Sequence, residues 1–432
     1  MVPAKPRVSS DSASQQSKRP RSCIRCWTGP VGCILVLLVA AVAGVVILRP
    51  GDPVSYPPSM PAGQLPAWPI FNLATRASEF LFQMHRASVP PFLRLREIIY
   101  QAWESHVVYF CSTLGLVDAI APGEENVTCQ QVADRVSLSN MQDEVCRIMH
   151  AGTEVGLFKR SSTDSFSVTD MGEYLRKDNP NSAKYMIEFL SQVSEISWLN
   201  IPNAIRDGKN AFQHRFHKEN MWSYLVEHPD LEKSFAHYMR ALTLEASHAL
   251  VAEYDFSRAR TICDLGGGVG AALAEILVHN PHLKGYTVDL PSVVSLSGDY
   301  FKERGIGDRA QGVGADFFQK MPEMKCDVVL LKNVIHDWPD EPSKAIYRAA
   351  KSIMTSPESV VLTLELVLGV RHSGFERFAR LLDLEMIAVT HGGRERTVEE
   401  YAELMQPAGL HVVRAIPTRS PWSLIEAKGT QG

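Results

Sequence analysis

The stretch LLKNVIHDWPDE, residues 330–341, begins as a buried strand should and then sets His336 and Asp337 side by side before a Trp-Pro turn. Histidine is the side chain best suited to accept a proton near neutral pH. A neutral imidazole does so on one ring nitrogen and needs an acceptor on the other to hold its tautomer. A lone histidine at a strand end is more often structural, so its surroundings decide the reading. Asp337 has a simple alternative role, capping the turn that follows, and is left out of the candidate catalytic set.

A second chemical signal is DLGGGVGA, residues 264–271, at the end of the short apolar run TICDL. Glycines let a backbone turn tightly and approach a ligand closely. Asp289 ends the next apolar run at the distance expected of a ribose-binding acid. Gly266, Gly268 and Ala271 also satisfy the dinucleotide pattern G-x-G-x-x-A, so a nicotinamide dinucleotide and S-adenosylmethionine both fit at this point. Dinucleotide folds often begin with such a loop, whereas here a long helical region precedes it. Asp316, in GADFF, stands near the end of the next predicted strand, where it could reach an adenine amino group with Phe317 against the ring. Its alternative is to cap a turn.

These residues need a frame. From about Thr261 short apolar strands (TICDL, KGYTVD, CDVVLLK, SVVLTLELV) alternate with helices. That is the signature of an α/β fold, a mostly parallel, doubly wound Rossmann-like sheet. Ligands bind such sheets at the carboxyl ends of the strands. The pattern therefore lines up Asp264, Asp289, Lys332, His336 and Glu365 along one edge. From about Thr75 to Met239 the pattern is mainly helical, with Thr128 a plausible N-cap. GLFKR and SFSVT read as a small hairpin, which suggests a winged-helix-like element. Its would-be recognition segment, NMQDEVCRIMHAGTEVG, is not basic, and the chain of 432 residues carries a formal net charge of −4. Both argue against a nucleic-acid partner.

The motifs DLGGGVG, VDLP, GADFF, LLKNVIHDWPDE, LTLELVL and GGRERT follow one another in one order. In that set the chain resembles the plant-type small-molecule O-methyltransferases, such as caffeic acid and acetylserotonin O-methyltransferases, from roughly Thr75 to Lys428. The resemblance implies S-adenosylmethionine as cofactor and a small phenolic or hydroxyindole acceptor. It implies that Gly266 lies at the methionine portion, that Asp289 holds the ribose, that Asp316 and Phe317 contact the adenine and that Lys332 lies beside the cofactor. His336 would be the general base, with Glu365 and Glu395 flanking it. Phe235, Met239 and Met386 would line the acceptor pocket. The helical region, 75–240, would be a winged-helix-like dimerisation domain of a homodimer, and 241–432 the catalytic domain. No metal is implied. Val269 in the glycine loop, and Thr390 and His391 before GGRERT, depart from the commoner plant pattern and leave the acceptor open. A nicotinamide-dependent oxidoreductase and a non-catalytic, membrane-tethered cofactor-binding relic are the competing readings.

The amino-terminal end lies outside that likeness. Residues 1–28 read as a disordered basic tail. Val31 to Leu48 carries no charge and nearly spans a hydrocarbon core. With Arg19, Arg21 and Arg25 before it, residues 29–49 read as a transmembrane signal anchor with a cytosolic amino terminus, making a single-pass membrane protein. A cleaved signal or an organelle-targeting leader is the alternative. Residues 50–74 read as a Pro-rich linker. The eight cysteines are scattered. CIRC, residues 23–26, lacks a second pair for structural zinc. Cys263 and Cys326 sit in apolar runs and read as buried free thiols.

Overall fold

The computed structural model describes residues 65–430 apart from 180, 209, 219–220 and 371–373. These belong to one compact unit, residues 60–432. The apolar run 31–48, the tail and CIRC lie outside the described residues.

The single-pass membrane reading is corrected here. Among the described residues no helix is long and apolar enough to cross a membrane. The longest, Pro229–Glu253, carries acidic and basic residues throughout its length. The linker reading is also shortened. A helix starts at Trp68, where Pro69 in the first turn gives up no needed N–H and brings a preset φ.

The mainly helical region opens with helices Trp68–Ser88 and Pro91–Thr113. A small antiparallel sheet follows, made of β1 (Val127–Thr128), β2 (Phe158–Arg160) and β3 (Ser165–Val168) in the order β1-β3-β2. Thr128 caps the helix Cys129–Arg135 through a full capping box with Gln131. Helix Gln142–Val155 stops at Gly156, which takes the left-handed conformation that glycine tolerates best. Cys111, Leu116, Val132, Met149, Phe158 and Phe166 form a core around this element.

A seven-stranded sheet fills the remainder. Its strands are β4 (Thr261–Leu265), β5 (Lys284–Asp289), β6 (Ala310–Gly314), β7 (Val328–Lys332), β8 (Val360–Glu365), β9 (Leu410–Pro417) and β10 (Ser423–Gly429). The order is β6-β5-β4-β7-β8-β10-β9, parallel except for β10 between β8 and β9. β7 and β8 are buried along almost their whole length and rich in Val and Leu, as strands covered on both faces must be. One core layer gathers Leu265, Val329, Leu331, Ile346 and Tyr347, and the opposite layer Ile262, Leu273, Leu330, Leu362 and Leu364. Alternation along β7 divides neighbouring residues between the two. The strand order reverses between β4 and β7, so the crevice at their carboxyl ends is the topological switch point.

The cysteine reading is corrected as well. Cys263 and Cys326 form a disulfide, and Cys129 and Cys146 form another. Parallel pairing of β4 with β7 brings Cys263 within reach of Cys326, 63 residues on. Cys111 is a buried free cysteine.

Candidate active site

Two turns meet at the switch point. The first follows β4. Gly266, Gly268 and Gly270 all have positive φ. A Cβ on Gly266 would stand 2.7 Å from Val334 Cγ2, so side-chain-free backbone is required where the loop meets the turn after β7. A Cβ on Gly267 would meet the Asp264 carboxylate at 2.5 Å. Above Gly268 there is open space. Asp289, at the end of β5, accepts from Gly268 N at 2.9 Å and from Leu290 N at 2.7 Å. Asp264 is buried with Oδ2 unpartnered, and burial pushes its pKa up to about 7. An open glycine cradle with a half-used carboxylate and an orphaned buried oxygen fits a small ligand rich in hydroxyl and amino groups.

Asp316 and Phe317 lie just beyond β6. Asp316 Oδ1 accepts from Phe318 N at 2.9 Å, so the turn-capping role is present in the fold. Phe317 packs edge-on against Phe318, which in turn packs against Trp338. Lys332 ends β7. Burial lowers its pKa, while Asp264, Glu365 and Asp337 attract its charge.

The second turn, Ile335–Asp337, is a single 3-10 turn that carries His336. It is held from several sides. Val334 N and Ile335 N both donate to Glu365 Oε1 at 2.9 Å. Arg396, wholly buried, donates to Ile335 O at 3.2 Å, to Trp338 O at 2.8 Å and to Asp340 Oδ1 at 2.8 Å. The histidine, itself 6% exposed, has Nδ1 2.8 Å from Glu395 Oε1 and 3.7 Å from Glu365 Oε2. Its Nε2 is 3.6 Å from Asp337 Oδ1. Burial alone would lower the His336 pKa, but Glu365, Glu395 and Asp337 overcome it and push it up to about 10. Burial raises the pKa of Glu365 and of Glu395. The protons of this group therefore belong to the cluster rather than to one residue.

The structure thus brings together His336, Glu365 and Glu395, with Lys332, Asp264 and Asp289 on the same edge. Phe235 and Met239 lie a turn apart on helix Pro229–Glu253. Phe235 packs 4.9 Å from Phe189, in a cluster that includes Ala388 and Val389 at the end of helix Gly374–Val389. Met386, buried, is on that same helix. Asp337, set aside in the sequence as a turn cap, faces the imidazole. Arg396 was not singled out, because an arginine in GGRERT reads as a solvated charge. Asp383, which accepts from Glu395 N at 2.8 Å, was missed for the same reason.

The O-methyltransferase domain family matches residues 198–411. The chain is 30% identical over 347 residues to O-demethylpuromycin-O-methyltransferase of Streptomyces alboniger, covering 79% of this chain and 90% of the relative. The chain belongs to the O-methyltransferase family. It is an S-adenosylmethionine-dependent methyltransferase with the Rossmann-like fold of that family. The methyltransferase also superposes on the crystal structure of LaPhzM with a TM-score of 0.72 and 29% identity, over 79% of this chain and all of the other. An O-methyltransferase from neocarzinostatin biosynthesis, solved with S-adenosylmethionine and 2-hydroxy-5-methyl naphthoic acid, matches at a TM-score of 0.63 and 28% identity, over 75% of this chain and 95% of the other.

Proposed function

We propose that this methyltransferase transfers a methyl group to the hydroxyl of a small aromatic acceptor, a phenol or hydroxyindole of the kind found in aromatic natural products, with His336 as general base. The observation that carries the reading is the His336 Nδ1 contact with Glu395 at the switch point, beside the glycine cradle. Bound S-adenosylmethionine supplies a methyl group on a positively charged sulfur, ready for in-line displacement. The chain's own residues have two tasks. The first is alignment, which can contribute much of the rate. Asp289 would hold the ribose hydroxyls, Asp316 and Phe317 the adenine, and Gly266 and Lys332 the end nearer the reacting centre. Phe235, Met239 and Met386 would line the acceptor side.

The second task is proton removal. A phenol has a pKa of about 10 and keeps its proton at neutral pH. With Nδ1–H donated to Glu395, His336 presents Nε2 to take that proton as the new C–O bond forms. Glu365 fixes the turn through its two main-chain bonds and adds negative charge on the Nδ1 side.

We also assign residues 75–240 to a homodimer interface and 241–432 to catalysis. In support, helix Trp68–Ser88 buries none of its residues, and Phe92, Ile98 and Trp103 of the next helix are more than half exposed. Large apolar side chains exposed on two successive helices are the kind of surface that marks an interaction site. Sedimentation of the protein would show a dimer, and a monomer at micromolar concentration would refute that assignment.

The test of function is transfer of labelled methyl from S-adenosylmethionine to a panel of phenols and hydroxyindoles, with the product identified as the methyl ether. Cofactor binding without methylation of any acceptor would oppose the reading.

A further inference from the structure

Glu385 occupies an unusual position. It lies next to Met386 and two residues after Asp383, whose Oδ1 accepts from Glu395 N. Two residues along a helix are about 200° apart, so Glu385 leaves the helix on the face opposite Asp383, towards the 190–198 segment. Its carboxylate is partly buried. Ser194 Oγ lies 2.6 Å from both oxygens and donates to them, and Trp198 Nε1 donates to Oε2. Ser194 closes a π-helical turn, Leu190–Ser194, a form of helix frequent at functional sites.

The surroundings are aromatic. Trp198 meets the carboxylate with the N–H edge of its indole. Phe189 lies 4.9 Å from Phe235 and 6.2 Å from Tyr238. Tyr238 is close enough that the Glu385 charge, after burial, helps to hold its hydroxyl protonated. Among the described residues no lysine, arginine or histidine forms an ion pair with Glu385. Burial raises its pKa, and only the two neutral donors oppose that rise. A carboxylate that forms no ion pair and is flanked by Trp198 and Tyr238 suits an ammonium group, by charge on one side and cation–π attraction on the other.

We propose that Glu385 is a specificity residue of the acceptor pocket and that it takes the ammonium group of an amine-bearing phenolic acceptor. This rests on the O-methyltransferase reading above. A purely structural alternative is that Glu385 only ties helix Gly374–Val389 to the 190–198 segment.

The experiment compares tyramine, tyrosol and 4-ethylphenol, which share a phenol and differ in bearing an ammonium, a hydroxyl or neither. For the full-length protein, kcat/KM for tyramine exceeds that for 4-ethylphenol by about tenfold or more, the size of a hydrogen bond to a charged group. In Glu385→Gln the ratio falls to about one. A ratio that is the same in both proteins overturns the proposal, and a preference for tyrosol over tyramine overturns the ammonium assignment. Calorimetry on protein saturated with S-adenosylhomocysteine gives the same comparison without turnover. If tyramine binds more tightly than 4-ethylphenol through Glu385 but nothing is methylated, the functional reading fails and this one stands. If the two bind alike, this one fails whatever is methylated. Should Glu385→Gln not fold, Trp198→Leu removes one aromatic face, and it too must lower the tyramine preference severalfold.

Discussion

Glu395 Oε1 lies 2.8 Å from His336 Nδ1, and its other oxygen is buried without a partner. A carboxylate in that position does two things. It orients the ring, and it stabilises the imidazolium over the neutral base. The second effect has a testable sign. The His336 pKa is raised to about 10, so the base-competent neutral form grows as pH rises towards that value. kcat/KM should climb from pH 7 towards pH 10. Glu395→Gln removes one of the carboxylates that raise the pKa, so the rising limb should move to lower pH while the plateau drops about 10- to 100-fold through lost orientation. A pH–rate profile of the two proteins checks both. A limb that stays in place would separate Glu395 from the titrating group.

The acceptor's own acidity provides an independent handle. A general base matters most when the phenol is protonated. His336→Ala should therefore cost about 10²–10⁴-fold with an ordinary phenol. It should cost much less with 4-nitrophenol, which is largely ionised at assay pH. Rates across a series of substituted phenols measure this. An equal loss across the series would mean that His336 acts in some way other than proton removal.

At the cofactor edge, Asp289 has two loads, the Gly268 N–H and the proposed ribose hydroxyls. Asp289→Ala should raise the Kd for S-adenosylhomocysteine about 10- to 100-fold, the range for hydrogen bonds to a charged group. Gly266→Ala should weaken binding as well and lower Tm, because φ is +71° and the new methyl would press on Val334. Calorimetry and thermal melts report the two effects separately.

Arg396 bridges the two halves of the site. It grips Ile335 O and Trp338 O on either side of His336, while its neighbour Glu395 holds the ring. Arg396→Met leaves those carbonyls and Asp340 short of donors, and should cost about 3 kcal/mol of stability or more. Arg396→Lys should recover only part of this, since an ammonium cannot reproduce the forked geometry. Urea unfolding of the two variants gives the comparison.

How far these features could be read from the chain depended on whether the signal was local. β4, β5, β7 and β8 show as apolar runs, so the sequence alone puts Asp264, Asp289, Lys332, His336 and Glu365 on one edge. Two kinds of feature did not show. Cys263 and Cys326 are 63 residues apart, and only the register of two parallel strands brings them together. Arg396, Asp383 and Glu385 are charged residues in a loop and on a half-exposed helix, where charge usually means solvent. Only the fold reveals that their partners are the His336 turn, Glu395 and Trp198. The apolar run 31–48 lies outside the described residues.

The central claim is that His336 removes the acceptor proton during methyl transfer. Its most direct test is the rate of methyl transfer to an accepted phenol by wild type and His336→Ala, with S-adenosylhomocysteine affinity measured in both as the control for folding. The account predicts a fall of about 10²–10⁴-fold with cofactor affinity little changed. Transfer by His336→Ala within twofold of wild type would contradict it.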